Sequence, residues 1–133
     1  MYRISKEFHF SASHQLDHLP DGHQCARLHG HNYVIVVILE SETLDHNSFV
    51  RDYGELDIVK IFIEAEWDHT HLNDYFDNHF DDGPRHTTAE NIAYALYEWL
   101  FHSIPELAAV QVKETPKTCS EYRPTLVFES EAP

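Results

Sequence analysis

The sequence predicts an α+β fold: a four-stranded antiparallel sheet with two helices packed on one face, in the order ββααββ. Three observations carry this. Apolar residues alternate at period two over residues 2–14 and again in HNYVIVVILE. They recur at helical spacing over residues 55–67 and 87–104. Two short strand-like runs, AAVQVKET and SEYRPTLVFE, follow Pro105 and are separated by a turn around Pro116 and Lys117.

Taken in order, Tyr2, Ile4, Phe8, Phe10, Ala12 and His14 share one parity of the first strand, with Arg3, Ser5, Glu7, His9 and Ser13 on the other. The stretch LDHLPDGHQCAR, with Pro20 and Gly22, is a loop. In the second strand Tyr33, Ile35, Val37 and Leu39 line one face together with His31. Leu56, Val59, Ile63 and Trp67 form the stripe of the first helix, widened by Ile58, Ile61 and Phe62. The acidic DYFDNHFDDGPRH is expected to be a loop. The second helix turns Ile92, Leu96, Trp99 and Leu100 to one side and stops before Pro105.

A length of 133 residues without a Pro- or Gly/Ser-rich linker predicts one domain, 1–133. No apolar run approaches the roughly 20 residues of a membrane span, and the amino end is neither basic nor greasy, so a cytoplasmic protein with no membrane partner is expected. Cys25 and Cys119 are too few for a disulfide framework and are read as thiols. Nine Lys and Arg against 23 Asp and Glu leave a formal charge of −14, which repels nucleic-acid phosphates and argues against that partner.

Twelve histidines are present, far more than one site uses, so position must select among them. In CARLHGHNY, His29 and His31 are two apart and project from one face of a strand beginning near Leu28, with Gly30 leaving space between them. His14 sits on the apolar parity of the first strand, and antiparallel pairing of the two strands brings it to the same face. Three neutral imidazoles suit Zn²⁺ and leave a tetrahedral position open, the arrangement of a catalytic site. Cys25 as a fourth ligand would instead close the site and make it structural.

Two further features carry local meaning. Glu114 shares the parity of Val110 and Val112, so a carboxylate ends an apolar strand face and needs a partner there, unless the strand has already ended and the group is solvated. Thr87-x-x-Glu90 fits a capping box with Thr87 as N-cap.

SASHQL, CARLHGHNY, WDHTHLND, TAEN and VKET, in this order and at these distances, resemble the superfamily of the 6-pyruvoyltetrahydropterin and 6-carboxytetrahydropterin synthases over nearly the whole chain. The resemblance implies the tunnelling fold, in which subunits join edge to edge into an oligomeric barrel, typically a hexamer, with sites at subunit interfaces. It implies one Zn²⁺ per chain on His14, His29 and His31, and Cys25 as the catalytic thiol. It assigns Asp68 and His69 to a triad with that thiol, His69 moving protons and Asp68 orienting it, which requires the first helix to end or bend near Trp67. It assigns Glu114 as the anchor of the pterin and places Thr88 and Glu90 beside the pocket, with Thr87 where the family usually has proline.

The implied substrate is 7,8-dihydroneopterin triphosphate. A chain this acidic needs local positive charge to hold it, from zinc, Arg27 and Arg85 or Lys113. The Cys-x3-His-Gly-His spacing resembles the carboxy-forming, queuosine-pathway branch of the superfamily, a lyase releasing acetaldehyde and triphosphate. The pyruvoyl-forming branch has a longer spacer and is the alternative; a non-catalytic zinc- or pterin-binding protein with Cys25 as closing ligand is the second.

Overall fold

The computed structural model describes residues 1–80 and 86–125. Strands β1 (Tyr2–His14), β2 (His29–Ser41), β3 (Leu107–Lys113) and β4 (Ser120–Tyr122) form one sheet in the order β1-β2-β3-β4, every neighbouring pair antiparallel. Helices α1 (Asp57–Glu66), α2 (Leu72–His79) and α3 (Ala89–Leu100) lie between β2 and β3 in the chain. The α+β class and the four antiparallel strands are as expected, but the described residues form three α-helices rather than two.

The alternation read from the sequence becomes the core face of the sheet. Phe8, Phe10, Ala12 and His14 of β1 are buried, as are Tyr33, Ile35, Val37 and Leu39 of β2 and Val110 and Val112 of β3. Apart from His14, they pack in one cluster with Leu56, Val59, Phe62, Ile63 and Trp67 of the first helical region and Ile92, Leu96 and Leu100 of α3. Removing this apolar surface from water is chiefly what holds the helices to the sheet, at about 25 cal/mol per Å². The register pairs Phe10 with Tyr33, Ala12 with His31 and His14 with His29. The strand pairing that builds the core thus also sets which histidines meet.

The additional helix is α2, which occupies the first part of the stretch expected to be a loop. Its buried Leu72 and Phe76 stand one turn apart, and Tyr75 packs against the same core. That i, i+3, i+4 spacing was available in the sequence but obscured by Asp74, Asp77 and Asn78 on the solvent side. Residues 81–85 of that stretch, including Arg85, fall outside the described residues, as do residues 126–129 of SEYRPTLVFE.

Two placements in the helices differ from expectation. Trp99 is 42 % exposed and stacks on Phe62 with ring centroids 4.3 Å apart, because it sits at the edge of the α3 stripe. Ile61 is 64 % exposed, on the outer side of α1. The first helical region opens with a short 3-10 turn at Tyr53–Leu56, where the Asp52 carboxylate accepts the Gly54 N–H at 2.9 Å.

After α1 the chain turns sharply. His69 adopts a left-handed φ of 59°, an uncommon conformation for a residue with a side chain. Residues 69–71 then dock along the free edge of β1: the His69 N–H donates to the Ser11 carbonyl at 2.6 Å, and the Ser13 N–H donates to the Thr70 carbonyl at 3.0 Å. This short bridge satisfies part of an otherwise open sheet edge and fixes where Asp68 and His69 stand.

Candidate metal centre and its surroundings

At the carboxy end of β1 and the start of β2, His14, His29 and His31 converge, each offering a ring nitrogen within 4.8 Å of the other two. The three rings lie 4.5–5.1 Å apart, each steeply inclined to the next. The hydrogen bonds fix two of the tautomers. His14 Nδ1 lies 2.7 Å from the Thr87 carbonyl, and His29 Nδ1 lies 2.6 Å from the Arg27 carbonyl. A carbonyl oxygen only accepts, so both Nδ1 atoms carry the proton and both Nε2 atoms present lone pairs.

Those two Nε2 atoms face each other at 2.9 Å. Two lone pairs at that separation repel unless a cation lies between them. His31 Nε2 is buried with no hydrogen-bond partner among the described residues. Two facing lone pairs beside a third, unsatisfied ring nitrogen are an arrangement that a metal ion would relieve, and the two carbonyl bonds behind them are the outer support that metal-bound imidazoles normally have.

Electrostatics agree. Burial pushes the His14 pKa down to about 4; the bond to Thr87 opposes this in part, and His29, His31 and His71 reinforce it. Burial, then His29, also lowers His31. Both rings are therefore neutral at neutral pH, the form that ligates. Gly30 has a tight place between them: a Cβ there would stand 3.2 Å from the Ala12 carbonyl oxygen. Cys25 does not belong to this group of ligands.

Glu114 lies just past the end of β3, as the solvated alternative required, yet it is not free in solvent. Its carboxylate is 4.0 Å from His31 Nε2, and burial, followed by the nearby Glu90, raises its pKa. A partly buried carboxylate thus stands beside the three-histidine cluster, with the Ala89 backbone N–H bond opposing the upward shift.

Asp68 and His69 form a pair, His69 Nδ1 to Asp68 Oδ1 at 3.0 Å. Asp68 also accepts the Ser11 N–H at 3.0 Å, and that bond, then His69, holds its pKa below the usual carboxylate value. The sharp left-handed turn at His69 lets these consecutive residues meet, which a continuing helix forbids. The imidazole is 82 % exposed and lines an open pocket with Ser11, Ser13, Asn32 and His71.

Cys25 occupies a 3-10 turn, Gln24–Ala26, capped by the His23 imidazole, which accepts the Cys25 N–H at 3.1 Å. The thiol is partly exposed, and among the described residues no hydrogen bond joins it to Asp68 or His69. Arg27 is exposed, and it touches the cluster through its carbonyl rather than its guanidinium.

The α3 cap is shifted by one residue from expectation. Thr88, not Thr87, is the N-cap, with its hydroxyl accepting the Asn91 N–H at 3.3 Å. Glu90 is then the second helical residue rather than the third, and its carboxylate accepts from the Ser120 hydroxyl at 3.0 Å. Thr87 is instead fully buried and turned toward His14. Sequence reasoning missed Thr87 and Asn73 as neighbours of the cluster because both act through contacts between segments far apart in the chain.

Known proteins resemble this chain in sequence and fold. A family model described as 6-pyruvoyl tetrahydropterin synthase matches residues 3–125. The 6-carboxy-5,6,7,8-tetrahydropterin synthase of Bacillus subtilis is 30 % identical over 129 residues, covering 92 % of this chain and 86 % of the relative. Its namesake from Synechocystis is 33 % identical over 128 residues, covering 92 % and 93 %. The solved structure of the 6-pyruvoyl tetrahydropterin synthase of Caenorhabditis elegans superposes with a TM-score of 0.78 at 28 % identity, covering 93 % of this chain and 96 % of that one. With the family match running almost end to end over the same sheet, helices and histidine cluster, this chain belongs to the 6-pyruvoyl tetrahydropterin synthase family.

Proposed function

We propose that the protein is a zinc-dependent carbon–carbon lyase that converts 7,8-dihydroneopterin triphosphate and one water to 6-carboxy-5,6,7,8-tetrahydropterin, with release of acetaldehyde and triphosphate, in queuosine (7-deazapurine) biosynthesis. The observation that carries the reading is the confrontation of the His14 and His29 Nε2 lone pairs at 2.9 Å beside the buried His31 Nε2, which has no partner among the described residues. The curated relatives named as 6-carboxy-5,6,7,8-tetrahydropterin synthases, and the three-residue spacer between Cys25 and His29, favour the carboxy-forming reaction over the pyruvoyl-forming one.

His14, His29 and His31 would hold the zinc, which supplies Lewis acidity toward the hydroxyls of the substrate side chain. Glu114 receives the pterin: its two oxygens accept the ring N3–H and 2-amino group side by side, as a carboxylate accepts a guanidinium. Its place 4.0 Å from His31 supports this role, because a pterin held there would lie beside the three histidines. Cys25, as thiolate, removes a proton from the side-chain carbon. His69 keeps its Nδ1–H on Asp68, which leaves Nε2 free to pass a proton on. Thr88 and Glu90 border the pterin, and Arg27 and Lys113 are the cations offered to the triphosphate.

Cys25 and the Asp68–His69 pair are brought together at a subunit boundary in this reading, in a homo-oligomer that we take to be a hexamer. The test of the reaction is product analysis. Zinc-loaded protein is incubated with dihydroneopterin triphosphate, acetaldehyde is coupled to alcohol dehydrogenase, and the pterin is identified by mass. Stoichiometric acetaldehyde with a carboxypterin is expected. Triphosphate release with a pyruvoyl pterin and no acetaldehyde identifies the pyruvoyl synthase instead, and no turnover by zinc-loaded protein leaves the binding-protein alternative.

A further inference from the structure

Behind His14 lies a small network of side chains from α2 and the entry to α3. The Asn73 side chain of α2 grips the residue after His14 from both sides: its Oδ1 accepts the Gln15 N–H at 2.9 Å and its Nδ2 donates to the Gln15 carbonyl at 2.7 Å. The same Oδ1 accepts the Thr87 hydroxyl at 3.2 Å. With its proton committed to Asn73, the Thr87 oxygen turns a lone pair toward His14 Nδ1, 3.3 Å away, while the Thr87 carbonyl takes the same N–H at 2.7 Å. Thr87 and His14 are 0 % and 1 % exposed, so no bulk water replaces these bonds.

We propose that Asn73 and Thr87 are positioning residues for the metal ligand His14: the Thr87 hydroxyl, oriented by Asn73, helps to hold the imidazole in the tautomer and direction that aim Nε2 at the metal. The proposal rests on the metal reading above and adds to it a role for one hydroxyl. A proline at position 87 retains a carbonyl but has no hydroxyl, so this part of the support belongs to the threonine in this chain. Three segments separated in sequence, the end of β1, the first turn of α2 and the entry to α3, are tied at this point. The network therefore couples the docking of both helices to the geometry of one ligand. Polar partners behind metal-bound histidines typically contribute about 10- to 100-fold in metal affinity.

The experiment compares wild type, Thr87→Val and Thr87→Ser, stripped of metal and titrated with zinc against a chromogenic chelator. Valine keeps the shape and the backbone carbonyl but removes the hydroxyl. The expected result is zinc affinity weakened about 10-fold in Thr87→Val and restored in Thr87→Ser, with a matching change and recovery in the ligand-field spectrum of the Co²⁺ forms, read at a temperature where circular dichroism shows all three metal-free proteins folded. Zinc affinity of Thr87→Val within about twofold of wild type overturns the proposal, as does a loss that serine does not restore. Nitrogen-15 NMR of the metal-free wild type checks the tautomer without any variant: His14 protonated on Nδ1 is expected, and protonation on Nε2 overturns the proposal. If wild type takes up no zinc, the metal reading itself fails, which is a separate outcome.

Discussion

At the scale of single residues, the structure sets the three clustered histidines apart from Cys25. His31 Nε2 is buried beside the two other imidazoles with no partner among the described residues, whereas Cys25 stands outside the ligand group. His31→Ala is expected to lose most of the bound zinc, while Cys25→Ala keeps about one zinc per chain and loses turnover, because a base rather than a ligand is removed. Elemental analysis of both purified variants checks this; departure of zinc with the thiol would favour the closed structural site. Asp68 makes a pH prediction. Its folded pKa is depressed by the Ser11 N–H and by His69, so its stabilising contribution is complete above the ordinary carboxylate pKa and is lost as pH falls through the depressed value. The stability gap between wild type and Asp68→Asn is therefore expected to be full at about pH 6 and to narrow below about pH 4. Urea unfolding across that range measures it, and a gap independent of pH would show that the ionised carboxylate contributes nothing.

At the scale of elements, α2 does more than fill space. Leu72 and Phe76 are fully buried, and Asn73 from the next position on the helix reaches the end of β1. Removing the Phe76 ring leaves a cavity in a packed core, with an expected loss of about 3–5 kcal/mol in unfolding free energy. Because Asn73 lies one turn away, Phe76→Ala is also expected to weaken zinc binding in molecules that remain folded, read by the same chelator competition. The segment after α1 plays a comparable part on the other side: its docking on the β1 edge, not helical geometry, sets Asp68 against His69.

At the scale of the whole molecule, charge opposes the proposed substrate. A net charge of −14 repels a triphosphate at long range, while the cations offered to it act only at short range. Raising salt from about 10 mM to about 150 mM shortens the screening length from about 30 Å to about 8 Å and removes mostly the long-range part. The KM for dihydroneopterin triphosphate is expected to fall over that interval, and steady-state kinetics at fixed pH measure it. A KM that rises instead would show that attraction within the site outweighs the field of the chain.

The period-two alternation in the first two strands by itself determined the core face of the sheet and, through the shared parity of His14, His29 and His31, the histidine cluster. Side-chain direction in a strand is a local property, so spacing alone carries it. The apolar stripes of α1 and α3 were legible for the same reason, while α2 was hidden because only Leu72, Tyr75 and Phe76 mark its inner side among acidic and amide neighbours. Glu114 was legible as a carboxylate on an apolar parity, although the strand stops one residue before it and its burial comes from packing. Only the tertiary structure decided that Thr88 rather than Thr87 caps α3, that Thr87 and Asn73 stand behind His14, and that His69 takes a left-handed turn against β1. Each of these depends on which backbone group or side chain arrives from a distant segment, and an arrival of that kind leaves no periodic trace in the residues themselves.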